Sequence, residues 1–409
     1  MTGLGVVAPN GIGKTDFWES LEAGRSAIGP ISLFETNGLK TTIAGEVRDF
    51  DVLEHIDLAF KPSRLGRFTQ FALTAAKLAL DDAHIGKDDL RRFGPVFVGI
   101  GVSTSDTEII ERQVLRIEKG GHRNASPFTA IASLPQAAAG AIAEMLDVPV
   151  QTLTVSTGCP AGLDAVAAAA REIASGRADM AIAGGADAPI TLLTVATFCA
   201  SGSMSTRNDD PTHASRPFDR QRDGGLIAEG AGVLFLEDLD SAMARGVEPL
   251  LEIRGYGAAS DPDAQNPSSG LKDSMAAALD NSGYRPADID YICAHGPSDP
   301  VLDRVETIAI KKLFGKKAYS LPVSSIKGVT GNPLAAAGPM QIVACAMAMQ
   351  KGLIPPTANY EVSDPHCDLD YVPMKARRSG MKLAIVNNHG FGGSNSSMVL
   401  ARPEAAWNF

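Results

Sequence analysis

Cysteine is scarce in this sequence and scattered. Five occur in 409 residues, at Cys159, Cys199, Cys293, Cys345 and Cys367, with no CxxC pair. An odd, dispersed set excludes a disulfide framework and suits thiols kept reduced, so a cytoplasmic location is expected. Long apolar runs are missing as well: nothing approaches the ~20 residues that a membrane-spanning helix needs. The N-terminus lacks the basic start and apolar stretch of a secretory leader. Positive charge is in deficit. The 37 lysines and arginines face 47 aspartates and glutamates, a net charge of −10. That balance argues against nucleic acid and anionic membranes as general partners. It leaves room for an acidic carrier protein met by a local basic patch.

What is present reads as a globular chain, 44% hydrophobic and 21% charged, long enough for one large or two medium domains. Two stretches resemble each other. "FALTAAKLALDDAHIGKDDL…VFVGIGVSTSD" (71–106) and "LKDSMAAALDNSGYRPADIDYICAHGPSD" (271–299) each read as helix, loop, strand and polar turn. Each is followed by a strand that enters a helix: "LTVSTGCPAGLDAVAAAAREIASG", then "LPVSSIKGVTGNPLAAAGPMQIVACAMAMQKG". Gly176 and Gly352 mark the ends of those helices. The repeated order predicts an internal duplication, with a boundary inside 237–255 that divides the chain into residues 1–245 and 246–409. Apolar strands alternating with helices predict an α/β fold with mostly parallel sheets covered on both faces. "STRNDDPTHASRPFDRQRDG" (205–224) reads as a long ordered loop.

The segment "VSTGCPAGLDAV" sets Cys159 between Gly158 and Pro160, where a strand turns into a helix. Proline suits a first helical position. Oriented amides at a helix start favour the thiolate, which is the nucleophilic form. Cys199, Cys293 and Cys345 read as small buried hydrophobes. A nucleophilic thiol needs a base and an oxyanion site. His295, in "CAHGPSDP", ends an apolar strand before a Gly-Pro turn and is the candidate imidazole. His84, His122, His213 and His366 lie in polar loops and read as ordinary loop histidines.

Taken together, "VSTGCPAG", "CAHGPSDPVLDRVET", "VSSIKGVTGNPLAAAG" and "NNHGFGGSNSS" stand in an order and spacing that resembles one family: the β-ketoacyl carrier-protein synthases of the elongating kind, within the thiolase superfamily. "TGLGVVAPNG", "MSTRNDDPTHASRPFDRQRDG" and "GLIPPTANYE" extend the likeness over nearly the whole chain. The resemblance implies a thiolase-like body of two fused halves in five layers, αβαβα. It implies that Cys159 accepts the acyl chain and that His295 stabilises the enolate. It further implies that Lys327, paired with Glu306, structures the site. Phe391 would gate the entrance, its amide and that of Cys159 forming the oxyanion hole. No metal or organic cofactor is implied, since substrates ride on the phosphopantetheine of a carrier protein. The partners it implies are an acyl carrier protein and a second subunit, in a homodimer or a heterodimer with a related ketosynthase or chain-length factor, with the strand near the cysteine at the interface. Arg216, Arg220 and Arg222 lie in a loop where a carrier could be met, although a solvated charge run is the plainer reading.

Two departures from the family pattern fall on the acceptor side. Asn332 stands where a second histidine is usual, giving a Cys-His-Asn set; a carboxamide donates a hydrogen bond but carries no proton. Pro297 and Asp299 replace two threonines that hold the pantetheine arm. The expected activity is therefore decarboxylative Claisen condensation in a polyketide or specialised fatty-acid pathway. Two alternatives stand beside it: acyl transfer or cyclisation from the same acyl-enzyme, and a non-catalytic partner subunit like the chain-length factors. Those factors lack the cysteine, so Cys159 counts against the last.

Overall fold

The computed structural model describes residues 1–92, 94–263 and 269–403. Its elements are numbered here for the two main sheets and their principal helices. The strands are β1 (Gly3–Ala8), β2 (Gly11–Ile12), β3 (Val96–Gly101), β4 (Val150–Val155), β5 (Met180–Asp187), β6 (Gly230–Glu237), β7 (Glu252–Ser260), β8 (Tyr291–Cys293), β9 (Val323–Ser324), β10 (Leu383–His389) and β11 (Ser394–Ala401). The helices are α1 (Arg67–Asp82), α2 (Thr107–Gly120), α3 (Ala137–Leu146), α4 (Ala161–Ala174), α5 (Leu192–Ser201), α6 (Gly270–Ser282), α7 (Pro300–Phe314) and α8 (Ala337–Lys351).

The first sheet has the order β2-β1-β6-β5-β3-β4, the second β9-β8-β10-β11-β7. The repeat seen in the sequence is visible in both. In each half a helix (α1 or α6) leads to a strand (β3 or β8), whose parallel neighbour (β4 or β9) leads toward an inner helix (α4 or α8). Strands β1, β3 and β5 read GLGVVA, VFVGIG and MAIAGGAD and are buried along their whole length. Such continuous burial requires both sheet faces to be covered. Strand β4, at the sheet edge, is largely uncovered.

The sheets are mixed, which corrects the expectation of mostly parallel ones. Only β3–β4, β3–β5, β8–β9 and β8–β10 are parallel; β1, β6, β7 and β11 run antiparallel to their neighbours. The reason is connection length. Residues 390–393 alone join β10 to β11, and a parallel return needs a crossover of about a dozen residues or more.

Helices α4 and α8 form the middle layer. One continuous core joins Leu163 and Val166 of α4, Ala183 and Leu234 of the first sheet, Ile342 and Val343 of α8, and Val386 and Met398 of the second. A second core packs α1 and α3 on the outside of the first sheet, and a third packs α6 and α7 on the outside of the second. The result is the thiolase-like five-layer αβαβα arrangement. A joint at 245/246 falls between β6 and β7, and we propose it as the boundary of the halves.

Close backbone approach holds the halves together. A methyl group on Gly162 or Gly185 would lie 2.1 or 2.3 Å from the carbonyl oxygen of Ala335. Glycine at both positions lets the turn before α8 press against the start of α4 and the end of β5. We expect Gly185→Ala to lower the unfolding free energy by about 1–3 kcal/mol, the usual cost of overpacking, as measured by chemical denaturation; an unchanged midpoint would show that this contact has slack.

Candidate active site

The turn between β4 and α4 presents Cys159. Gly158 has φ 76°, in the left-handed region, and its carbonyl accepts from the Ala161 amide at 3.0 Å. Pro160 caps the helix, which begins at Ala161. Cys159 therefore stands just outside the helix mouth, 4% exposed. The Asn332 side chain and the Phe391 amide stand near its sulfur and favour the thiolate. The expectation of a resting thiolate does not hold. Burial is the largest effect on Cys159 and raises the thiol's pKa above the usual value. The Lys327 cation, Asn332 and the Phe391 amide pull the other way, while the Asp187 carboxylate adds to the rise. Removing water penalises the charged sulfur more than these donors repay.

His295 follows β8 and is buried. The Lys327 ammonium donates to the His295 carbonyl oxygen at 2.6 Å and lies 3.2 Å from Nδ1. An ammonium can only donate, so Nδ1 accepts and the ring proton sits on Nε2. Burial, then Lys327, then His389 hold the His295 pKa well below the ordinary value, so it is a neutral donor. Burial also brings Lys327 down to about 8.

Glu306 does not form the contact ion pair with Lys327 expected from the resemblance. Its carboxylate accepts instead from the amides of His295 (3.0 Å) and Gly296 (2.8 Å) and from Asn387 Nδ2 (3.1 Å). It fixes the backbone that carries the imidazole, and acts on Lys327 only through space. A buried carboxylate with several N–H donors needs no contact cation.

Asn332 is tied on both sides of its backbone, its N–H donating to Leu226 O (2.8 Å) and its carbonyl accepting from the Ala228 N–H (2.9 Å). Its Oδ1 is buried without a hydrogen-bond partner. Phe391 sits in the glycine turn between β10 and β11, 57% exposed. Its ring meets Phe198 edge-on, the centroids 5.4 Å apart. A narrow cavity of about 30 Å³ is lined by Cys159, His295, Asn332, Phe391, Phe198 and, among others, His389.

Three features escaped sequence reading or differ from it. Asp187, at the end of β5, is fully buried and accepts from the Ser103, Thr104 and Ala335 amides and the Thr104 hydroxyl, all within 3.1 Å. Burial pushes its carboxyl up to about 6. His389 stood inside the motif "NNHGFGGSNSS" but carried no signal of its own. Asp299 spends one carboxylate oxygen on the Val301 and Leu302 amides at 2.8 and 2.9 Å, as the N-cap of α7. The basic loop is corrected too. Arg216 is buried against Glu361 and Arg222 against Asp303 and Asp364; Arg220 alone is exposed. His84, His122, His213 and His366 are exposed, and Cys199, Cys293 and Cys345 are buried.

Residues 1–242 match the model of the beta-ketoacyl synthase N-terminal domain, and residues 250–361 that of the C-terminal domain. The chain belongs to the beta-ketoacyl synthase family. It is 40% identical over 420 residues to the tetracenomycin polyketide synthase ketoacyl synthase alpha subunit of Streptomyces glaucescens, covering 99% of this chain and 97% of that one. Among solved structures, the synthase resembles the ishigamide ketosynthase/chain length factor (TM-score 0.90, 33% identity, 98% of each chain). It also resembles a type II PKS acyl-carrier protein in complex with its ketosynthase bound to the hexaketide (TM-score 0.89, 34% identity, 98% of each chain).

The charges around Cys159 make a testable pair. Lys327→Met removes the cation that lowers the thiol pKa, and we expect slower alkylation of Cys159 by iodoacetamide near neutral pH. Asp187→Asn removes the anion that raises it, and we expect faster alkylation. Rates measured by intact mass check both signs; a shift in the same direction for both variants contradicts this charge assignment.

Proposed function

We propose that this synthase is a ketosynthase that joins an acyl group held on Cys159 to a malonyl-type carrier thioester by decarboxylative Claisen condensation. The observation that carries the reading is one cavity lined by a buried thiol, an imidazole held as a neutral donor, and a carboxamide. The Cys159 sulfur attacks the first thioester and becomes acylated. The tetrahedral oxyanion is met by the amides of Cys159 and Phe391. When the malonyl unit loses CO₂, the negative charge moves to its thioester oxygen. Nε2–H of His295 and the amide of Asn332 are neutral donors suited to that charge. Lys327 and Glu306 position His295 from behind, one at its ring and carbonyl and the other at its amide. The carbanion then attacks the acyl-enzyme and forms the carbon–carbon bond.

Both substrates arrive on the phosphopantetheine arm of an acyl carrier protein. Pro297 offers this arm no donor, Ser298 Oγ accepts from the Arg216 amide (3.0 Å), and Asp299 caps α7. Arm binding at this turn therefore relies on backbone and shape more than on hydroxyl donors. Relatives named as polyketide ketosynthases and as 3-oxoacyl-[acyl-carrier-protein] synthases support a role in a polyketide or specialised fatty-acid pathway. A subunit interface fits the first-half face where Ile110, Val114, Leu115, Leu153, Leu192 and Leu193 are exposed together with edge strand β4. The partner is a second copy or a related chain-length-factor subunit. No helix among the described residues is long and apolar enough to cross a membrane.

The test supplies an acyl-loaded and a malonyl-loaded carrier. We expect an acyl adduct on Cys159, CO₂ release and a β-ketoacyl product; Cys159→Ala is expected to abolish the adduct and the β-ketoacyl product. An adduct without CO₂ release assigns transfer or cyclisation instead, and no adduct assigns a partner subunit. For the interface, Leu153→Asp is expected to shift the protein toward monomer in size-exclusion chromatography; an unchanged elution volume moves the interface elsewhere.

A further inference from the structure

Condensation has a proton inventory that the residues named so far do not satisfy. Acylation removes a proton from the Cys159 thiol and must deliver one to the departing carrier thiolate. Condensation regenerates the Cys159 thiolate, which must take a proton back. Asn332 has none to move. His295 is held neutral by burial and by Lys327 at its Nδ1. Of the cavity-lining residues, the titratable ones are Cys159, His295, Asp299 and His389, and Asp299 is engaged as a helix cap.

His389 is built for the task. It ends β10 and pairs across the hairpin with Asn395 of β11. Its Nδ1 lies 2.6 Å from Asn395 Oδ1. That amide cannot be turned the other way without loss, since its Nδ2 donates to Asp261 Oδ2 and to the Gly393 carbonyl, both at 2.9 Å. An amide oxygen only accepts, so Nδ1 carries the hydrogen and the neutral ring leaves Nε2 as a base. Nε2 has no hydrogen-bond partner among the described residues. The His295 ring centroid is 6.1 Å away. The cavity's volume of about 30 Å³ leaves room for a bridging water.

We propose that His389 is the proton carrier of this site, taking over a role that Asn332 cannot fill. The inference rests on the condensing reading above. In acylation the S–H bond of Cys159 breaks, its proton passes to His389 Nε2, and the sulfur–acyl bond forms. The carrier's C–S bond breaks with its electron pair on the carrier sulfur, which takes the proton from Nε2. In condensation the malonyl C–C bond breaks to release CO₂, the new C–C bond forms, and the pair of the Cys159 S–C bond returns to sulfur. His389, recharged by one solvent proton, protonates it. The groups facing this imidazole are Asp261, its carboxylate 4.0 Å from Nδ1, with Asn395 beside it. The same cavity is lined by His295, which Lys327 contacts, by Cys159, on which Asp187 acts electrostatically, and by Asp299.

The test follows acyl-Cys159 formation from a hexanoyl N-acetylcysteamine thioester by intact mass, from about pH 5 to 8, in wild type, His389→Phe and His389→Gln. The glutamine variant keeps a polar side chain in case the phenylalanine variant fails to fold. Because His389 must be neutral to accept the thiol proton, the wild-type rate falls as the pH is lowered. We expect both variants to be slower by about 10²-fold, within the usual range for a positioned acid–base group, and to lose this acid limb. Variants that acylate at the wild-type rate overturn the proposal. Slower variants that keep the limb assign His389 a structural role and overturn it equally. CO₂ release from malonyl-loaded carrier is read separately in the wild type. Its absence ends the condensation reading, whereas the acid limb of acylation still decides the role of His389.

Discussion

The Asp187 carboxylate and the two glycines beside it hold the site in register. Asp187 collects amides from residues 103 and 104 of the first half and from Ala335 of the second. Gly162 and Gly185 admit the Ala335 carbonyl at a distance no side chain would allow. Together they pin the turn after Asn332 to the start of α4. Cys159 comes from one half, His295 and Asn332 from the other. The seam lies where the two halves meet beside the thiol and its partners. The cost of a buried carboxylate shows in its raised pKa, and its four hydrogen-bond donors offset that cost.

The site works by holding most of its groups in uncharged forms. Burial keeps Cys159 as a thiol and His295 as a neutral donor, and draws the Lys327 ammonium toward neutrality. Neutral donors in a small, buried cavity are poised for charge that appears only during reaction, on a tetrahedral oxygen or an enolate. Glu306 contributes by orienting two amides rather than by neutralising a cation. The exposed Phe391 ring meets Phe198 at the cavity, and the Phe391 amide stands near the sulfur from the same turn. One glycine-rich turn thus brings both the Phe391 ring and its amide to the cavity, with His389 at its base.

Much of the architecture was legible from local pattern. The duplicated helix–strand order, the strand-to-helix turn at Cys159, the helix ends at Gly176 and Gly352 and the ordered loop 205–224 all follow from periodicity and turn chemistry over short windows. Strand direction was not, because alternation of strands and helices says nothing about a four-residue turn such as 390–393. The charge state of Cys159 is hidden from sequence for a related reason. A helix start is visible in sequence, but the depth of burial that opposes it is a property of the whole packed body. Arg216 and Arg222 looked like a solvated run because their carboxylate partners lie up to 145 positions away.

The sequence by itself determined which chemical groups are available and where each sits on its own element: a cysteine at a helix mouth, a histidine at a strand end, a carboxamide in place of an imidazole, a phenylalanine among glycines. Those facts are set by residues within a few positions of one another. Tertiary structure alone decided which groups meet and in what charge state. Asp187, Glu306 and His389 act through partners far off in sequence or through exclusion of water, and neither distance nor dielectric is written in a local run of residues.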